Sequence, residues 1–303
     1  MMKNFFERTL TISILSISLT APCAAQSVTG KDLYAWVQGI EGRDPAGRRD
    51  FVKNELKKMG IAFTTAPFKR ELKFQKTSLS IEGENIIVSL GKGNRNIVIG
   101  AHFDAVPNSP GANDNGASVA VLLGIIRSMK DFDWNYQVDF CFFDQEEMGL
   151  VGSQEFVKTY ADSSIHLAMI NLDVNGMGDV VYVGPVGGGD DEVIMPLARG
   201  TATKEGIPFR EHEFYPPSDH LSFGIRKLEN ISVSVVPEGD VNLLVEAVLN
   251  GWQIDPENVP EVMKYMHTPE DKLEHVSLKA LELSYRFTSS LLSQLNAIPT
   301  IPN

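Results

Sequence analysis

Three apolar runs in this chain end in residues that can hold a metal or move a proton. Asn96 to Gly100 leads into Ala101-His102-Phe103-Asp104, Val138 to Phe143 into Asp144-Gln145-Glu146-Glu147, and His166 to Leu172 into Asp173. Short apolar runs of this kind read as buried strands. In an open α/β sheet, ligands bind at the carboxyl ends of the strands. Any one of these acids would pass as a cap or turn residue. Several gathered beside a histidine are different, because burying so many carboxylates is unfavourable unless a cation compensates them.

Spacing sharpens the roles. His102 and Asp104 are two apart and share one side of a strand, which suits a histidine ligand supported by a carboxylate behind it. Asp114 sits in the turn Pro110-Gly111-Ala112-Asn113-Asp114-Asn115-Gly116, ahead of an apolar helix. Glu146 and Glu147 diverge if extended, so a turn between them can send one to a metal and leave the other free as a base. In Tyr265-Met266-His267-Thr268-Pro269-Glu270-Asp271, Thr268 is a good N-cap and Pro269 suits the first helical position. That predicts a helix starting there, with His267 held just outside it and exposed. His166, His212 and His275 read as structural.

The elements that must position these residues are legible from periodicity. Helices are expected at Asp32 to Ile40, Arg48 to Met59 (with Gly60 as its cap), Ala117 to Met129, Gly152 to Tyr160 and Glu192 to Lys204, with a last one at Ser277 to Leu295. Strands are expected at Glu71 to Ile81, Asn85 to Leu90, Asn96 to Gly100, Val138 to Phe143, His166 to Leu172, Val180 to Val183 and Ile231 to Val236. Gly184 to Gly189 reads as a solvated loop; the acids that follow it would repel phosphate. Strands interleaved with helices imply an α/β fold, a three-layer α/β/α sandwich around a mixed, mostly parallel sheet. No repeat or low-complexity linker divides residues 26–303, which read as a single domain.

Composition excludes other classes. With 303 residues, 43% hydrophobic and 22% charged, the chain is globular in character. A net charge of −12 gives no electrostatic reason to bind nucleic acid or an anionic membrane surface. Residues 1–25 read as a signal peptide: Lys3 and Arg8, a short apolar run from Leu10 to Leu19, and the small-residue stretch Cys23-Ala24-Ala25 before Gln26. The run falls short of the about 20 apolar residues a membrane span needs. Export to the periplasm or the medium is therefore expected. A lipid-modified Cys23 is the alternative, and Pro22 argues against it. Cys141, in an apolar strand, is expected to be an inert core thiol.

Taken together, GAHFDAVP, PGANDNGAS, FFDQEEMGLVGS, INLDVNG and YMHTPED, in this order, resemble the co-catalytic di-zinc aminopeptidases of peptidase clan MH. The resemblance runs from about Gly42 to the C-terminus. It implies two Zn²⁺ per chain, one held by His102 and Asp173, the other by Glu147 and His267, with Asp114 bridging them. It implies Glu146 as general base, Asp104 orienting His102, and a cis peptide between Asp114 and Asn115. A hydroxide shared by the metals would attack the scissile carbonyl of a peptide, and Glu146 would pass the proton to the leaving amine. Two Zn²⁺ against three carboxylates and one hydroxide come to zero charge.

The chain also departs from the family pattern. Met266 occupies a slot where members often carry Tyr, and Tyr265, one residue back, becomes the candidate for substrate contact. Asn113 stands where many relatives have Asp. Ser218-Asp219-His220 resembles a segment near the substrate pocket and is expected to line it, while Val241 to Tyr265, with Trp252, is expected to shape its rim. The leading expectation is an exported aminopeptidase acting on peptides, monomeric and without a membrane span once the signal is removed. The runner-up is a glutaminyl-cyclase-like acyltransferase with one working zinc. Deacylase relatives insert a lid domain for which the 26 residues from Glu147 to Asp173 leave no room. A binding domain that has lost its metals is disfavoured because all five ligand positions are filled.

Overall fold

The computed structural model describes residues 28–73, 78–159, 165–185 and 193–299. The signal-peptide reading and Cys23 lie outside them, as do residues 186–189 of the glycine-rich loop. Two helices open the described chain, α1 (Gly30–Ile40) and α2 (Pro45–Lys58). Both start earlier than periodicity indicates because their caps lie upstream. Thr29 and Asp32 form a reciprocal capping box on α1, and Asp44 caps α2 with Pro45 at its first position.

One sheet of eight strands follows, in the order β1-β2-β4-β3-β5-β8-β6-β7. Its strands are β1 (Thr64–Lys73), β2 (Ser78–Leu90), β3 (Asn96–His102), β4 (Gln137–Phe143), β5 (His166–Leu172), β6 (Val180–Gly184), β7 (Phe209–Glu211) and β8 (Asn230–Val236). The central four, β4-β3-β5-β8, run parallel; β2 and β6 pair antiparallel at either side. This is the mixed, mostly parallel sheet expected. The expected strand at Glu71 to Ile81 is instead the meeting of two strands, since β1 and β2 pair antiparallel from Thr64–Ile87 to Lys73–Ser78. β1 is an edge strand carrying Pro67, with no fully buried side chain from Thr64 to Glu71, so it lacks the apolar alternation that would mark it. β7 is too short to show a pattern.

Alternation along the central strands builds three layers. Ile97 and Ile99 of β3, Phe140 and Phe142 of β4 and Ile170 and Leu172 of β5 face one large core. Packed there are α1, α3 (Ser118–Met129), α5 (Ile194–Glu205) and α8 (Leu278–Asn296). The intervening residues Val98, Cys141, Phe143 and Met169 face the other way, against α4 (Val151–Thr159) and α6 (His220–Gly224). α3 is buried almost all round, as its apolar sequence requires. Cys141 is fully buried, and burial pushes its thiol well above the usual range. The remaining helix, α7 (Asp240–Leu249), packs with Tyr182, Tyr215 and Val236 in a third cluster at the end of the sheet.

The chain leaves β3 to form β4 on one side of it and returns to form β5 on the other. That reversal opens a crevice at the carboxyl ends of β4, β3 and β5, the position where open α/β sheets bind ligands.

Candidate metal centre

Each expected donor reaches the crevice by its own route. His102 is the last residue of β3 and is 1% exposed. Asp114 lies in an irregular turn, Ala112–Ala117, that is non-helical at Asp114 and Asn115 and holds a cis Asp114–Asn115 peptide bond, as the resemblance implied. Glu146 and Glu147 follow β4, and Asp173 follows β5. His267 comes from the distant loop before α8 and stays half exposed. Three non-glycine residues with positive φ flank these donors, Gln145 (64°), Val174 (56°) and His267 itself (61°). The β-branched Val174 rarely adopts this conformation, and such residues persist where surrounding contacts over-determine them.

Those contacts can be named. The Asn115 side chain donates to the Leu172 carbonyl (3.0 Å) and accepts from the Val174 N–H (3.2 Å), gripping the backbone on both sides of Asp173. Asp104 accepts the N–H groups of Glu146 and Glu147, each at 3.1 Å, and its Oδ1 lies 3.4 Å from His102 Nδ1. One carboxylate thus orients three members of the site. Asp271, fully buried, accepts the N–H groups of Asn113 (2.9 Å) and Asp114 (3.0 Å). Asp271 was not singled out as a site residue in the sequence. The only signal was its place four residues after His267, because it acts on backbone rather than on ligand.

The donors fall into two sets that share Asp114. His102 Nε2 lies 3.4 Å from Asp114 Oδ1 and 3.5 Å from Asp173 Oδ1; His267 Nε2 lies 3.0 Å from Asp114 Oδ2 and 3.2 Å from Glu147 Oε2. Each Asp114 oxygen therefore serves a different histidine. Ligands about 2.0–2.1 Å from a tetrahedral zinc stand about 3.3 Å apart, so both sets are spaced for one such ion. Buried Glu147 Oε1 and Asp173 Oδ1 find no hydrogen-bond partner in the protein. Orphaned carboxylate oxygens in a histidine-containing cluster are what a cation would complete.

Electrostatics agree with the geometry. Burial in the cavity wall, followed by the fields of Asp219, Asp173 and Asp104, pushes Glu146 well above the usual carboxyl range. Glu147 is also raised, first by burial. Hydrogen bonds to Asp114 and Glu147 push His267 up to about 10. Asp114 is held below its ordinary value by both histidines, against the effect of its burial.

The site opens into a cavity of about 400 Å³. One wall is His102, Asp114, Glu146, Glu147, Asp173 and His267; the rest is mainly apolar, with Tyr182, Tyr215, Leu244, Trp252, Val262 and Met266 among it. Trp252, Leu244, Val262 and Met263 come from the segment expected to shape the rim.

Four expected substrate contacts are placed elsewhere. Tyr265 stacks on His275 with ring centroids 4.0 Å apart, and Met266 faces the cavity in its stead. Ser218, Asp219 and His220 are buried beneath the wall rather than lining it, because the chain turns inward there into α6; their neighbours Tyr215, Pro216 and Pro217 form the surface. Ser218 accepts from the Asn171 side chain (2.9 Å). Asp219 is fully buried, and that burial pushes it up to about 7. The expected helix at Thr268 is absent as well. Thr268 Oγ1 accepts from the Glu270 N–H (3.1 Å) in a local turn that carries Asp271 inward. Asp144, the remaining strand-end acid, is taken up by Arg49 (2.6 Å) and the Glu84 N–H (2.9 Å).

Comparison with known proteins points the same way. The model of peptidase family M28 matches residues 85–291. Aminopeptidase YwaD of Bacillus subtilis (strain 168) is 29% identical over 192 residues, 61% of this chain but 38% of that protein, so the chain matches well under half of that relative's length. The structure of BSAP, a zinc aminopeptidase from Bacillus subtilis, superposes with a TM-score of 0.68 at 15% identity, covering 88% of this chain and 94% of that one. Glutaminyl cyclase of Porphyromonas gingivalis superposes at 0.64 with 20% identity over 88% and 98% of the two chains. At these identities both superpositions speak to the fold.

Proposed function

The chain belongs to peptidase family M28, and we propose that it is an exported di-zinc aminopeptidase that removes large apolar residues from the N-termini of peptides. The observation that carries this reading is the shared carboxylate: Asp114 offers one oxygen to the His102 and Asp173 set and the other to the His267 and Glu147 set. A cyclase-like centre with one zinc has no need of two complete sets.

In this reading His102, Asp173 and Asp114 hold one zinc and Glu147, His267 and Asp114 the other. Zinc in those places supplies Lewis acidity toward a carbonyl oxygen and lowers the pKa of water. Glu146 lines the cavity beside both sets and carries no metal in this assignment. Its carboxylate takes the proton from the attacking water and returns it to the departing amine. Asp104 holds its backbone by accepting the Glu146 N–H at 3.1 Å.

The apolar end of the cavity sets the preference. Its hydroxyls are already occupied: Tyr215 pairs with Ser234 Oγ (2.6 Å), Ser234 donates to the Asp173 carbonyl (2.6 Å), and Tyr182 donates to the Phe214 carbonyl (2.9 Å). A charged side chain would lose its hydration there without replacement. The donors of both sets come from this chain, so neither set needs a residue from a second copy. Among the described residues no helix is long and apolar enough to cross a membrane; the export part of the proposal rests on the N-terminal sequence.

The test is a panel of aminoacyl-anilides. Leucyl, phenylalanyl and methionyl substrates are expected to be cleaved faster than aspartyl, lysyl and glycyl ones, with activity lost to a chelator and restored by zinc. Cyclisation of N-terminal glutamine without anilide cleavage would replace this reading with the acyltransferase one.

A further inference from the structure

Helix α2 directs two consecutive arginines inward, and they have different partners. Arg49 forms an ion pair with Asp144. Arg48, 1% exposed, sends its hydrogen bonds to backbone carbonyls instead. Nε donates to Phe103, Nη1 to Pro110 (3.2 Å) and Ile40 (3.5 Å), and Nη2 to Gly111 (3.2 Å). A buried cation with no carboxylate bonded to it is unfavourable. The fields of Asp104, Asp114, Asp271 and Glu147 offset part of that cost.

The carbonyls it takes are not arbitrary. Phe103 stands between His102 and Asp104. Gly111 closes the turn that delivers Asp114, accepting the Gly116 N–H at 3.1 Å. Gly111 has φ +64°, and a Cβ there would lie 2.9 Å from Arg48 Nη1 and 2.7 Å from the Ala105 side chain, so the loop is closed around the guanidinium. Asp271 grips the following peptide groups through the N–H groups of Asn113 and Asp114. The loop is thus held between a cation that takes its carbonyls and an acid that takes its amides.

We infer that Arg48 is a positioning residue, whose planar fork locks the end of β3 that bears His102 to the turn that bears Asp114 and so sets the spacing of two donors that share one metal. The inference rests on the metal-centre reading proposed above. Four carbonyls in different directions need the diverging N–H groups of a guanidinium; an ammonium is a compact charge without that planar fork. Charge alone is therefore not expected to suffice.

The test compares zinc affinity, by competition with a chromophoric chelator, in wild-type protein, Arg48→Lys, Arg48→Gln and Lys53→Met. Lys53 is on the same helix, paired with Glu84 and away from the site. Both Arg48 variants are expected to melt cooperatively and to bind zinc about 10–100-fold more weakly, the usual effect of removing a group that orients a ligand. Their kcat should fall by a similar factor at unchanged KM, while Lys53→Met matches wild type. Wild-type zinc affinity in Arg48→Lys would overturn the inference by showing that charge is enough. So would an equal loss in Lys53→Met, or failure of both Arg48 variants to fold, either of which would make Arg48 part of the scaffold alone. A wild-type protein that binds zinc but cleaves no anilide would remove the proposed function and leave this comparison intact, because affinity is read without turnover.

Discussion

At the scale of single residues, Glu146 and its neighbour Glu147 have different roles in the proposed centre. Both lie at the end of β4 and both have backbone N–H groups held by Asp104, yet only Glu147 pairs with His267. Glu146→Gln is expected to retain zinc and fold normally while losing roughly 10²–10⁴-fold in kcat, the typical worth of a general base. Activity within a few-fold of wild type would reassign the base. The strand-end position and the motif order made six residues of this site legible in the sequence: His102, Asp114, Glu146, Glu147, Asp173 and His267. Arg48 and Asp271 were not legible as site residues, for one physical reason. They act on backbone amides and carbonyls, and which backbone a side chain meets is decided by the fold and not by local spacing. Tyr265 shows the converse: one residue of offset was enough to turn it away from the cavity and onto His275.

At the scale of elements, periodicity located the central strands and long helices to within a few residues, since their burial on one or both faces imposes it. It failed where burial was slight or the element short, as at β1, β7 and α6, and at Thr268, where a good cap is followed by a turn because Asp271 is drawn inward. The segment from α7 onward supplies part of the apolar cavity wall on which the proposed preference rests. Asp240 accepts the Val262 N–H at 2.9 Å, pinning the two ends of the segment together. Between them Trp252 is held by its N–H to the Ala247 carbonyl (2.7 Å) and lines the cavity at 40% exposure. Trp252→Ala is expected to raise KM for phenylalanyl and leucyl substrates about tenfold, equivalent to about 1.4 kcal/mol of apolar contact, with kcat little changed. That pattern marks binding shared by ground and transition states. Equal KM values in the variant would place the side-chain pocket elsewhere.

At the scale of the whole molecule, the packed acids make metal content and stability one question. Without metal, Asp271 is pushed up to about 6 and Asp219 to about 7, in both cases first by burial, and hydrogen bonds to Asp114 and Glu147 raise His267 to about 10. All three lie above their ordinary values. The stabilisation they give is complete below those ordinary values and is lost as pH rises through the folded ones. Buried His220, held down to about 4, works the other way up to its ordinary value near 6.5. The Tm of chelator-treated protein should therefore fall between about pH 6.5 and pH 10, and zinc should flatten the decline by supplying the charge that protons otherwise supply. A metal-free Tm that rises over this range would mean that these carboxyls are ionised and paired in the native state.

If Asp114 joins two metal sites, wild-type protein carries two zinc ions per chain, and Asp114→Asn purified beside it carries fewer. One zinc in the wild type, or the same content in both proteins, would contradict that bridging role.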